Sequence, residues 1–243
     1  MKTPAPVPLP AMASARAPWA TAVVLGGATM LAIGFLVMFA LPYLAPDERR
    51  AALYASRRPS LLLHIFGGIV TLLVGPGQLW LGLGQRHMRL HRRLGLTYVG
   101  GVAVGAITAF YLAAHTPFGI VFGSGLTGLG VAWIVTTSLG LAAVRRGQIA
   151  QHQEWMIRSY VVTFAFVTFR LLVGVLEQAH VGTLPEQLAV ASWFCWAAPL
   201  LLTEAVLQGR KIVVSDARRT WARRYPIDPP VQPVGFGTSR EHR

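Results

Sequence analysis

Apolar residues run through this chain in six long blocks, near 19–44, 61–83, 94–114, 124–143, 156–177 and 187–207. Each is long enough to cross about 30 Å of hydrocarbon as a helix. The pattern predicts an all-α fold, a polytopic transmembrane bundle of six helices over residues 19–207. Within three of the blocks, polar and small residues recur every three or four positions. On the second helix these are His64, Gly68, Thr71, Gly75 and Gln78; on the third, Tyr98, Gly101, Gly105, Thr108, Leu112 and His115; on the fifth, Tyr160, Thr163, Val167, Arg170, Gly174 and Glu177. This spacing places each set on one helix face. Such stripes face the bundle interior, because small residues allow close backbone approach and polar groups need partners in lipid.

Composition agrees with a membrane class. The chain is 53% hydrophobic and 13% charged, about half the charged content of a soluble domain. Its net charge of +13 does not point to nucleic acid, because the basic residues stand beside and between apolar blocks. Arg86, Arg89, Arg92 and Arg93 follow the second helix, and Arg145, Arg146 and Arg158 surround the start of the fifth. Eight of the 22 Lys and Arg residues lie beyond residue 208. The positive-inside rule then predicts both termini in the cytoplasm, with anionic lipid as the partner of the basic face. Arg49, Arg50, Arg57 and Arg58, in the first outer loop, run against the rule. A homo-oligomer or partner membrane subunit would account for them.

The flanks read differently from the bundle. Residues 1–18, rich in Pro and Ala, predict a disordered cytoplasmic tail. The apolar run after them is too long for a signal-peptide core and lacks a clear cleavage site, so the first helix is expected to stay in the mature protein. Residues 208–243 form a basic tail in which 215–224, capped by Ser215, predicts a short interfacial helix. The lone Cys195 excludes an intramolecular disulfide and reads as a small buried hydrophobe.

Two groups of polar residues carry candidate chemistry. Arg170 lies about 18 Å along the helix from Arg158, deep in the apolar block, where a guanidinium marks a functional site by default. His64, His115 and Glu177 share its outer half, which defines a candidate ligand-binding cluster of His64, Arg170, His115 and Glu177, with Gln78 further along the second helix's stripe. Arg170 and Glu177 are seven residues apart, which favours a partner for Arg170 on another helix. On the inner side, Arg158 and Glu204 match in depth and predict a structural ion pair. Histidines on different helices at one depth are the ligand set of a transmembrane haem b. His64 with His115, or His91 with His152, could form such a pair, although His91, His115 and His152 fall at or beyond the predicted helix ends. No Walker loop, dinucleotide glycine pattern, His-Glu-x-x-His or Gly-x-Ser-x-Gly motif is present. No Gly- or Pro-broken helix pair marks a transporter site either; Gly75-Pro76-Gly77 predicts a kink in the second helix.

These residues resemble a known family. His64 with its following glycines, HRRLGLTYVGG at 91–101, and QHQEWMIRSY at 151–160 with Arg170 beyond are similar to the bacterial membrane proteins of domain of unknown function 2306. The resemblance covers roughly residues 60–175, four of the six helices. It implies a multi-pass protein of the bacterial inner (plasma) membrane without an assigned role or established catalytic residues. The bundle is also distantly similar to dihaem transmembrane cytochromes, whose clear pairs of intrahelical histidines it lacks. Three readings stay open: a bundle binding haem, quinone or a small anionic ligand for electron transfer, a small-solute or proton-coupled transporter, and a structural or accessory membrane subunit.

Overall fold

In a computed structural model, which describes residues 18–44, 56–85 and 87–224, every regular element is helical. The helices are α1 (Pro18–Phe35), α2 (Arg58–Leu83), α3 (Met88–Ala114), α4 (Ile120–Arg145), α5 (Ile149–Thr163), α6 (Ala165–Gln178) and α7 (Leu184–Arg224). A π-helical turn (Leu36–Ala40) and a 3₁₀ turn (Leu41–Tyr43) continue α1. Five elements are long and apolar enough to cross a bilayer, and the pair α5–α6 makes a sixth crossing when taken as one span. The multi-pass helical fold expected from the apolar blocks is therefore the fold of this chain. Residues 1–17 and 225–243, with the expected terminal disorder, lie outside the described residues, as does most of the arginine-bearing first loop.

Contacts at matching ends show that α2 and α3 run antiparallel. Near its start, α2 meets the end of α3, where the Arg57 guanidinium donates to the His115 carbonyl; near its end, Gln78 Nε2 donates to His91 O at 2.8 Å. Glycine makes the tightest contact possible. A Cβ on Gly67 would lie 2.8 Å from Gly101 O and 2.9 Å from Gly105 N, so α2 and α3 touch backbone to backbone. This is helix association through small residues, the mode expected where lipid is as apolar as leucine. Helices α2 to α5 close a ring, with α2 against both α3 and α5. Helix α1 packs on α2 and α6, and α7 packs on α4 and α6 through Leu188 and Ala191.

Three boundaries differ from expectation, each for a physical reason. Hydropathy marks the membrane interval rather than the helix, so α3 and α5 begin six and seven residues before the apolar blocks at 94 and 156. The fifth block is two helices bent by 40° at Phe164, without Gly or Pro. Just before the bend, Thr163 Oγ1 donates to Ser159 O at 2.9 Å, a back-bond that bends helices. Helix α7 starts at Leu184 with one half of a capping box: Glu186 Oε2 accepts from Thr183 N at 2.7 Å and also from Thr183 Oγ1 at 2.8 Å. It then runs unbroken to Arg224, so no separate helix begins at 215; Ser215 Oγ donates to Ile212 O at 2.7 Å instead of capping. The chain divides into a unit ending at Ala205 and a second unit from Val206, whose described part is the end of this helix.

Two prolines sit inside helices, and each leaves a carbonyl four residues earlier without its helical donor. Helix α2 continues through Pro76, and the orphaned Leu72 O accepts from Tyr160 Oη at 3.4 Å. Helix α7 continues through Pro199, and Cys195 O accepts from Thr168 Oγ1 at 2.6 Å. In lipid such groups must be satisfied by neighbouring helices. Here each proline becomes a point of attachment between helices.

Candidate functional site

The middle of the bundle is a buried polar layer. Tyr98 Oη on α3 lies 2.7 Å from Thr163 Oγ1 and 2.9 Å from Ser159 Oγ, both on α5. From α4, Trp133 Nε1 donates to Thr163 Oγ1 at 2.7 Å, and Thr137 Oγ1 lies 2.7 Å from Ser159 Oγ. All five side chains are buried. Each hydroxyl can donate once and accept twice. One assignment accounts for these four contacts: Thr163 accepts from Trp133 and Tyr98, Tyr98 accepts from Ser159, and Ser159 accepts from Thr137, whose single proton is then withdrawn from the Trp133 carbonyl 2.8 Å away. Tyr98 and Thr163 stand in the polar stripes read from the sequence. Trp133, Thr137 and Ser159 were not singled out there, because none falls in one of the stripes and only its neighbours reveal its role.

The layer separates two cavities. One, of about 540 Å³, opens at the arginine-rich end and includes Gln78, His91, Arg92, Tyr98, Thr137 and His152 in its lining. Here the longer helices change the sequence reading. His91 and His152 are each the fourth residue of their helix rather than terminal residues, one turn inside at matched depth. Their ring centres are 6.2 Å apart with the planes at 86°. His152 Nδ1 lies 2.8 Å from Gly140 O. A carbonyl only accepts, so Nδ1 carries the proton and the neutral ring keeps its lone pair on Nε2. His91 Nδ1 is buried with no hydrogen-bond partner, and the His91 ring packs over Gly82, where a Cβ would lie 2.9 Å from Cε1. Buried polar atoms left unpaired are scarce in folded proteins. Gln78, placed by its stripe with the outer candidates, belongs to this cavity.

The second cavity, of about 270 Å³, lies on the other side of the layer, with His64, Arg170, Tyr43 and Trp133 in a largely aromatic and aliphatic lining. His64 Nδ1 lies 2.9 Å from Gly105 O, so this ring also donates through Nδ1. Arg170 is half-buried. It donates to Tyr43 Oη at 3.4 Å and lies 5.7 Å from the Phe39 ring centre and 5.8 Å from that of Phe169. His64 and Arg170 thus share a cavity, whereas His115 and Glu177 are outside its lining. His115 is exposed at the end of α3, where its Nδ1 turns back to Tyr111 O at 2.8 Å; Glu177 is exposed on α6. The pairing of His64 with His115 as axial ligands finds no support in this arrangement, because the His115 ring stacks on Tyr111 instead, with ring centres 4.4 Å apart.

A buried charge ties α5 to α7. Arg158, 6% exposed, donates through Nε to Glu204 Oε2 at 2.7 Å and reaches Glu154 Oε2 at 3.6 Å. Its guanidinium lies 4.7 Å from the Trp155 ring centre. With three partners the charge is compensated, as burial demands. Among the described residues, no group of three or more His, Cys, Asp or Glu could hold a bare metal ion.

A family described as "Predicted membrane protein (DUF2306)" matches residues 61–207. No curated protein and no solved structure matches the chain.

Proposed function

The chain belongs to the DUF2306 family of membrane proteins, and from that premise we propose that it is an electron-transfer protein holding a haem b between His91 and His152. The observation that carries the reading is the 6.2 Å separation of the two rings across a cavity of about 540 Å³. His91 and His152 would hold the haem iron through one imidazole nitrogen each. The second shell supports the same reading. His152 gives its Nδ1 proton to the Gly140 carbonyl, as metal-bound histidines do, which turns Nε2 toward the ligand role. Arg92, in the cavity wall, offers a cation to the carboxylates of such a group. When bound, a haem supplies one-electron redox chemistry. The protein's own part is to fix both imidazoles, keep the site apolar and balance its charge.

The basic loops and tail favour an orientation with both termini and this cavity on the cytoplasmic side of a bacterial plasma membrane. A continuous proton path through the bundle fits less well. Toward the second cavity, the hydroxyl layer ends at the Trp133 N–H, which donates and cannot accept.

The test is an absorption spectrum of the detergent-purified full-length protein, expressed with ample haem. A Soret band and sharp reduced bands are expected. Each of His91→Ala and His152→Ala should abolish them, and His115→Ala should leave them intact. A wild-type protein without a Soret band refutes the proposal.

A further inference from the structure

The cavity of about 270 Å³ beside His64 and Arg170 has no part in the haem reading, and it carries an inference that goes beyond it. We propose that this cavity binds the head group of a membrane-dissolved quinol. Its size suits a single substituted ring. Flat aromatic faces surround it, from Phe35, Phe39, Phe122, Phe166, Phe169 and Trp133, and aromatic rings favour stacked or edge-on aromatic partners.

The polar groups decide which ring. His64 sends its Nδ1 proton to Gly105 O at 2.9 Å, so the neutral imidazole offers Nε2 as an acceptor. A ligand satisfies that nitrogen only with an O–H or N–H. Arg170 offers the opposite, donors alone, and its bond to Tyr43 Oη is long at 3.4 Å. The ligand therefore donates at one point and accepts at another, and its body is flat and apolar. A quinol does both, with one hydroxyl donating to His64 and an oxygen accepting from Arg170. A fatty-acid carboxylate or a lipid phosphate would suit Arg170 but would bring lone pairs to His64 Nε2. Access follows from α1. Phe39 lines the cavity and is also exposed, so the cavity meets the lipid-facing surface there. The π-helical turn Leu36–Ala40 falls on this same wall, and such turns recur at binding sites.

The experiment uses the full-length protein in lipid nanodiscs under reducing, oxygen-free conditions. A short-chain benzoquinol is titrated against it, beside the dimethyl ether of the same quinol and decanoate. One hydrogen bond to a cavity acceptor corresponds to about tenfold in affinity, so the quinol should bind about tenfold more tightly than its ether. Arg170→Leu should weaken quinol binding about tenfold. Leu61→Trp, which adds bulk to the cavity lining, should abolish it. His91→Ala and His152→Ala should leave it unchanged, so the haem proposal can fail while this one stands. Equal affinity for quinol and ether, tighter binding of decanoate, or quinol binding indifferent to both Arg170→Leu and Leu61→Trp would each overturn the assignment.

Discussion

Replacing Thr163 by valine tests whether the polar layer holds the bundle together. The side chain keeps its shape and loses one oxygen. That oxygen accepts from Trp133 Nε1 at 2.7 Å and from Tyr98 Oη at 2.7 Å, and donates to Ser159 O at 2.9 Å. Tyr98 keeps Ser159 Oγ at 2.9 Å as an alternative partner. Trp133 is 3% exposed, and its N–H has no other bond among the described contacts. Interhelical hydrogen bonds in membrane bundles average about 0.6 kcal/mol and reach about 1.7. Stranding a buried donor adds roughly 1–3 kcal/mol. The expected loss is therefore about 3 kcal/mol, most of it from the indole. Reversible unfolding in mixed detergent–SDS micelles would measure it. Thr163→Ser, which keeps the oxygen, should cost no more than about 1 kcal/mol. The decisive measurement is the double-mutant cycle with Trp133→Phe. Removing both partners leaves nothing stranded, so the double variant should recover at least about 1 kcal/mol relative to the sum of the singles. A Thr163→Val protein within about 0.5 kcal/mol of wild type, or strict additivity in the cycle, would show that the layer is incidental.

Two further outcomes follow from the same packing logic. Thr168→Val strands the Cys195 carbonyl freed by Pro199 and should destabilise by about 1–2 kcal/mol; adding Pro199→Ala restores a backbone N–H four residues on and should rescue most of the loss in the same unfolding assay. Gly75→Ala would place a Cβ 2.2 Å from the Tyr160 ring and should cost about 1–3 kcal/mol, whereas Gly100, with nothing within 4 Å, should accept alanine with a gain of up to about 1 kcal/mol.

How much of this was legible in the chain differs by residue. On the second and third blocks, Gly68, Thr71, Gly75, Gln78, Tyr98, Gly101 and Gly105 of the stripes line contacts between helices; on the fifth, Tyr160, Thr163 and Val167 are buried, whereas Gly174 meets nothing within 4 Å and Glu177 is exposed. Depth alone set Arg158 opposite Glu204, which the structure joins at 2.7 Å. Depth misled for His115 and Glu177, because matched height on a helix says nothing about which way the side chain turns. It also understated His91 and His152, since the helices extend into polar sequence that hydropathy leaves out.

The sequence by itself determined that this chain lives in a membrane, that it crosses it as helices, and which apolar stretches do the crossing. Twenty apolar residues in lipid leave the backbone no alternative to a helix, so the decision is local. Tertiary structure alone decided that Trp133, Thr137 and Ser159 complete a polar layer, that tyrosine and threonine from neighbouring helices serve the carbonyls freed by Pro76 and Pro199, and that the histidines divide between two cavities. Those outcomes depend on the rotation of each helix about its own axis. Rotation is set by which small residues let two backbones touch and which polar groups then find partners, and that is a property of pairs of helices rather than of any one of them.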